Sequence, residues 1–192
     1  MGGRCSWCHT SFTYSDGRHT HIGPSNTDHV EATMLYEQVN TAVIDGESLP
    51  WVPFTPYADN VLLKYFKLDP VRGEVIALLK APIDMRLPRH HHSGTVVVYT
   101  LEGKWKYKEH DWVAGPGSVV FETAASTHTP EVLSTEGAGA YVLMLVIVTG
   151  DLVFVDQSDK VLAIENWKTA MQRYLGHCEK HGIEPRDLTA FR

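Results

Sequence analysis

The chain has little of what marks several common protein classes. It holds only three cysteines in 192 residues, and they are read as reduced thiols. It has no excess of basic side chains: 17 Lys and Arg stand against 23 Asp and Glu, a net charge of −6. That balance argues against a nucleic acid or an anionic membrane as partner, since both reward clustered positive charge. No apolar stretch approaches the ~20 residues of a membrane span. The longest, Tyr141 to Val148, has the length of a buried strand. The opening Met-Gly-Gly-Arg-Cys-Ser-Trp-Cys lacks the apolar region of a secretory leader. The expectation is a cytoplasmic globular protein with one domain and extensions.

What the chain does have is histidine, eleven in all, and the clustering says more than the number. Arg89-His90-His91-His92-Ser93-Gly94 opens the β-branched run Thr95 to Leu101, which closes at Glu102-Gly103. Side chains alternate between faces along a strand, so His90 and His92 share one face and His91 takes the other. Two imidazoles on one face offer a metal two neighbouring ligands, and His128 is the candidate third. Arg89 and Tyr99 share the outward parity of His91, while Val98 points inward. A tag remnant is excluded by the mid-chain position between strand signals.

Around that centre the chain divides into three stretches. Residues 1–42 form an N-terminal arm with one short helix, His29 to about Gln38, capped by Thr27 or Asp28. Cys5-Ser-Trp-Cys8-His9 matches a haem-attachment pattern that requires an exported chain, and with His19 and His21 it makes only a loosely spaced zinc set. The cysteine pair is therefore read as incidental. Residues 43–163 carry many short strands with Gly and Pro turns. Leu49 to Pro53 is an extended edge segment. Val61–Asp69, Glu74–Ala81, Thr95–Leu101, Lys104–Tyr107, Ser118–Phe121, Ala140–Val148 and Leu152–Val155 are strands, with turns at Asp69–Gly73, Gly103 and Gly115–Gly117. Residues 164–192 form a C-terminal helix and tail, since Ile164, Trp167, Ala170, Met171, Tyr174, Leu175 and Cys178 recur at helical spacing up to Gly182. The fold class is all-β, a small antiparallel barrel or jelly roll with one terminal helix.

Two motifs then resemble those of the cupins. The first cupin motif, G-x5-H-x-H-x3,4-E-x6-G, finds His90, His92 and Gly103 in register, with Val96 at the carboxylate and Asp84 at the opening glycine. The second, G-x5-P-x-G-x2-H-x3-N, runs from Gly117 to His128, with Thr123, Ala125 and Val132 at its proline, glycine and asparagine. Ile44 to Pro53, Pro88 to Trp105 and Trp112 to Pro130 are similar to the 2,4'-dihydroxyacetophenone dioxygenase-like branch and the anti-sigma-factor cupins. The resemblance implies a single jelly-roll cupin barrel with His90, His92 and His128 as metal ligands.

Three imidazoles do not select among Fe(II), Zn, Mn, Ni and Cu. Without a carboxylate at Val96 a divalent ion keeps its full charge, which favours a chelating anionic substrate such as an enolised diketone or a deprotonated α-hydroxyketone. That chemistry resembles the three-histidine cupin dioxygenases, including acetylacetone dioxygenase, which use Fe(II) with O2 as cosubstrate and cleave a C–C bond next to a carbonyl. The expectation is such an oxidoreductase acting on a small ketone, with Val96, Val98, Trp105 and Tyr107 in the substrate pocket. Glu109 and Glu122 are secondary candidates for a base or fourth ligand. The alternatives are a Zn or Mn cupin acting as isomerase, decarboxylase or hydrolase, and a non-enzymatic metal sensor. Leu49–Pro53 and the C-terminal helix are natural contact elements for a homodimer or homotetramer.

Overall fold

Alternating burial and a few turn residues account for most of the strands. The computed structural model describes residues 43–135 and 141–189. The expected helix at His29–Gln38 and the Cys5, Cys8, His19 and His21 group lie outside these residues. A 3-10 turn at Gly46–Ser48 leads into β1 (Val52–Phe54), β2 (Ala58–Asp69) and β3 (Glu74–Ala81). β2 and β3 form a hairpin. Its turn is set by Asp69, whose Oδ1 accepts from the Val71 and Arg72 amides at 2.8 and 3.0 Å, an Asx turn.

Next come β4 (His90–His92), β5 (Val96–Glu102), β6 (Lys104–Tyr107), β7 (Val119–Glu122), β8 (Thr127–His128) and β9 (Pro130–Ser134). The chain closes with β10 (Val142–Thr149), β11 (Leu152–Val155), β12 (Val161–Glu165) and the helix α1 (Trp167–His181). Gly103 has φ +80°, and a Cβ there would lie 2.8 Å from the Ser134 carbonyl oxygen, so only glycine serves between β5 and β6.

The strands assemble as a six-stranded sheet in the order β1-β2-β3-β10-β5-β7, a four-stranded sheet β12-β11-β4-β8, and the pair β6-β9. This is the jelly-roll cupin architecture, all-β with one C-terminal helix, and its core draws on every sheet: Val61, Tyr65, Ala77, Val142, Phe154 and Trp105 are all buried. Central β10 pairs with β3 on one side and β5 on the other, which is why it reads as an unbroken apolar run. β1 lies at a sheet edge, where Pro53 removes no ladder bond.

Besides shifts of one to three residues at the ends of β2, β5, β7 and β10, two larger differences from the expectation stand out. The Arg89–Gly103 run is two strands in different sheets, because the Ser93-Gly94 bend carries the chain across. The helix starts at Trp167, not Ile164. Asn166 caps it in a reciprocal box with Thr169, and Ile164 belongs to β12, where it is exposed. Ala170, Tyr174 and Cys178 form the buried stripe of α1, and Gly182 at φ 64° ends it.

Candidate metal centre

Strand pairing decides which histidines meet. On β4, His90 and His92 point inward and are 4% and 5% exposed, while His91 lies half-buried on the other face. β8 runs antiparallel to β4 and sets His128 directly across from His90. Ligand nitrogens of His90, His92 and His128 all lie within 4.8 Å of one another. The His90 ring stands at 86° to that of His92 and 88° to that of His128, so the rings converge edge to face.

β4 is held from both ends. Ahead of it, the outward Arg89 donates to the Asp156 carbonyl at 3.2 Å and pairs with Asp159. Behind it, the Asp151 amide donates to Ser93 Oγ at 2.7 Å and the Ser93 amide to the Asp151 carbonyl at 2.9 Å. Gly94 sits so near Thr149 that a Cβ would lie 2.2 Å from its carbonyl oxygen. On the other side, Ala125 donates its amide to the His92 carbonyl at 2.7 Å while adopting φ 64°. That is the left-handed region, and Ala125 fills the place where the second cupin motif has glycine.

The His90 Nδ1 lies 2.9 Å from the Pro88 carbonyl. That fixes the hydrogen on Nδ1 and leaves Nε2 for a cation. Burial, and after it the neighbouring His128 and His92 rings, push the His90 pKa down to about 3. The imidazole is therefore neutral and able to ligate at ordinary pH.

The carboxylate missing at Val96 is supplied from the next strand. Glu122, 5% exposed, ends β7 directly across from Val96. Its Oε1 accepts from the Tyr107 hydroxyl, and its Oε2 lies 3.2 Å from Nε2 of both His92 and His128. Neighbouring ligands each ~2.1 Å from one ion sit about 3 Å apart, so Oε2 has the spacing of a fourth donor. Burial works to raise the Glu122 pKa, but the adjoining His128 and His92 outweigh it and hold the carboxyl below the usual range. The expectation that Val96 leaves the ion its full charge is corrected by this arrangement, and of the two secondary candidates for a fourth ligand Glu122 is the one that lies at the centre.

Glu109 is a different case. It is exposed, with its oxygens accepting from the Thr129 amide and hydroxyl at 2.8 and 2.9 Å. It braces the residue after His128 and has no place at the centre.

His92 Nδ1, His128 Nε2 and Glu122 Oε2 are buried without a hydrogen-bond partner. Leaving such atoms unsatisfied costs about 1–3 kcal/mol each, and a cation relieves those that face it. Three histidines and a carboxylate suit Fe, Mn, Zn, Ni or Cu, so the residues present fit a divalent metal.

Beside His90, His92 and Glu122 lies a cavity of about 140 Å³, whose walls include Val96, Val98, Trp105 and Tyr107. For scale, a dry cavity of ~150 Å³ takes up benzene. Trp105 Nε1 donates to Thr100 Oγ1 at 2.8 Å, which satisfies its one polar atom. Tyr107 stacks on His128 with centroids 3.8 Å apart and so supports both a ligand and Glu122. Tyr65 and Glu165 also line the cavity. Reasoning from sequence missed them, because Glu165 falls where the helical periodicity hides the strand alternation of Ala163 and Glu165.

Residues 39–146 match the family model described as the ChrR cupin-like domain. An RmlC-like cupin protein from Ralstonia eutropha is 55% identical, with 83% of this chain and 100% of that chain covered and a TM-score of 0.78. An acetylacetone dioxygenase from Acinetobacter johnsonii shares the fold at 18% identity, with 86% and 99% covered and a TM-score of 0.60. A second Ralstonia eutropha protein of unknown function with a cupin-like fold has 18% identity, 77% and 90% coverage and a TM-score of 0.68. A search of curated proteins finds no match. No helix among the described residues is long and apolar enough to cross a membrane.

Proposed function

The chain belongs to the ChrR cupin-like family, and on that premise we propose that it is a non-haem Fe(II)-dependent dioxygenase. Its substrate in this reading is a small enolisable diketone or α-hydroxy (aryl) ketone, cleaved at the C–C bond next to the carbonyl. The observation that carries the reading is the convergence of His90, His92 and His128 within 4.8 Å at the wall of an apolar cavity the size of one ring. These histidines would hold the iron, which when bound supplies chelation of the substrate oxygens and electron transfer to O2, the cosubstrate.

The remaining work falls to the chain. Val96, Val98, Met144 and Val146 wall the cavity and exclude water from a reactive enolate. Trp105 and Tyr107 flank the substrate body. Glu122 places one negative charge beside His92 and His128 and thereby fixes their rings, while the Tyr107 hydroxyl holds Glu122 in turn. The shared fold with an acetylacetone dioxygenase supports the architecture alone.

Glu122 also favours a second reading. A donor set of three histidines and one carboxylate equally suits Zn or Mn acting as a Lewis acid in an isomerase, decarboxylase or hydrolase, or in a sensor without catalysis. Metal analysis of anaerobically purified protein, followed by an oxygen electrode with a ketone panel, separates the two. Stoichiometric iron with substrate-dependent O2 uptake supports the dioxygenase, whereas zinc with no uptake supports the Lewis-acid reading. For partners, the reading pairs a small ketone with a second copy of the chain, meeting through Leu49–Pro53 and α1, and light scattering reads that association.

A further inference from the structure

Trp105 and Tyr107 lie two residues apart on β6, so period-two alternation turns both rings inward, where they are 3% and 5% exposed. After Tyr107 the chain turns, the His110 amide donating to the Tyr107 carbonyl at 3.1 Å. It then folds back on β6. Trp105 and Ala114 exchange amide-to-carbonyl bonds of 3.0 and 2.9 Å, and this clamp lays Trp112 against the two buried rings. Its indole meets Trp105 at 89° and Tyr107 at 73°, with centroids 5.7 and 5.6 Å apart. Trp112 itself keeps 36% of its surface exposed.

On its other side Tyr107 stacks on His128, with centroids 3.8 Å apart. The rings therefore form an unbroken line: His128 at the metal site, Tyr107 inside the barrel, Trp112 at the surface. An open groove of about 460 Å³ follows that line and touches His128, Glu122, Tyr107 and Trp112. Edge-to-face packing explains why three aromatic rings cluster. It does not call for a line of rings that leads from a buried ligand out to solvent.

Phenol and indole are the side-chain rings most easily oxidised by one electron, because the radical left behind is delocalised. A phenol must also shed its proton as the electron leaves. Tyr107 donates to Glu122 Oε1, a buried carboxylate that can take the proton within an existing hydrogen bond and hand it back. Trp105 is a side branch, since its Nε1 proton is held by Thr100 Oγ1 at 2.8 Å, away from solvent.

We propose that Tyr107 and Trp112 form an electron relay that discharges the metal centre when an oxidant reaches it with no ketone bound. The inference rests on the reading of the three histidines as an iron site. With hydrogen peroxide as the oxidant, two electrons and two protons convert it to water. Fe(II) gives one electron and becomes Fe(III). The other leaves Tyr107, whose proton passes to Glu122. Trp112 refills Tyr107 by electron transfer, the phenol recovers its proton from Glu122, and the Trp112 indole releases its N–H proton to solvent. The second proton consumed comes from solvent. A thiol in solution then restores Trp112 by giving it a hydrogen atom at the groove. Oxidation is thereby led away from the histidines.

The test treats full-length Fe(II)-loaded protein, without ketone or oxygen, with one equivalent of hydrogen peroxide, after elemental analysis has confirmed its iron. Freeze-quenched samples are read by electron paramagnetic resonance, and peptide mass mapping locates added oxygen. The relay predicts a tryptophanyl radical and oxidation at Trp112, with Trp51 and Trp167 unmodified and neither signal in metal-free protein. In Trp112→Phe the radical should become tyrosyl, and oxidised histidine should appear at His92 or His128. In Tyr107→Phe the Trp112 radical should be lost although a stacked ring remains. The wild-type map needs no variant, so it decides the matter even if neither variant folds. Histidine oxidation ahead of Trp112 in the wild type, equal Trp112 oxidation without metal, or an undiminished Trp112 radical in iron-loaded Tyr107→Phe overturns the relay and leaves the iron reading standing. If the protein retains no iron, both readings fall together.

Discussion

Replacing Glu122 by Gln isolates the carboxylate that β7 brings to the centre. The shape is kept, and the amide carbonyl can still accept from the Tyr107 hydroxyl, so the change is confined to charge. In the wild type that charge lies 3.2 Å from nitrogens of His92 and His128, the atoms on which a divalent ion would sit. Two unit charges 4 Å apart interact by about 4 kcal/mol at an effective dielectric of 20, and a divalent ion doubles that to about 8 kcal/mol. Relief of the buried carboxylate's desolvation offsets part of this, which leaves a net loss of about 3 kcal/mol, or roughly a hundredfold in metal affinity. Carboxylates that only orient a ligand give ten- to hundredfold losses, so a loss above about a hundredfold marks direct contact. In metal-free protein the same change removes a buried charge, and stability should fall by no more than about 1 kcal/mol. Competition against a chromophoric chelator under anaerobic conditions reads the first quantity, and urea denaturation of the metal-free protein the second. An affinity within about threefold of wild type would refute the assignment of Glu122 to the centre.

Other outcomes follow from the same geometry. His128→Ala should abolish metal retention through desalting, while His91→Ala, on the opposite face of β4, should retain a full equivalent by elemental analysis. Gly94→Ala would force a Cβ to within 2.2 Å of the Thr149 carbonyl oxygen; chemical denaturation should show a loss of about 2 kcal/mol or more. Burial drives the Tyr65 hydroxyl up to about 12, whereas an unfolded tyrosine ionises near 10. Between those values the unfolded chain holds fewer protons, so stability is intact below pH 10 and declines as pH rises towards 12, by up to about 3 kcal/mol. Denaturation midpoints across that window should show the decline in wild type and a smaller one in Tyr65→Phe.

The parts of this molecule that local rules govern are readable from its residues. Glu74–Ala81, Lys104–Tyr107 and Leu152–Val155 have the same bounds in the structure as in the alternation pattern, because each lies between turn residues that the chain cannot extend through. Period-two parity also separates His90 and His92 from His91, and carries over to Val96 and Val98 even though the Ser93-Gly94 bend moves the chain to another sheet. What resists reading depends on partners far away in sequence. Glu122 has inward parity only because β7 lies against β5 in the register that faces it to Val96, and nothing within β7 announces that register. Ile164 satisfies the helical period of α1 and the alternation of β12 at once, and pairing with β11 decides for the strand. Tyr65 and Glu165 carry no motif, and only the closed barrel brings them to one cavity.

The most direct test of the dioxygenase reading is turnover of the Fe(II)-loaded protein under 18O2 with an enolisable diketone or an α-hydroxyaryl ketone, followed by mass analysis of both fragments. The account predicts one O2 consumed per ketone lost and one labelled oxygen atom in each of the two products, with no turnover in His128→Ala. Products formed without O2 uptake, or carrying oxygen from water alone at the new carbonyl positions, would contradict it.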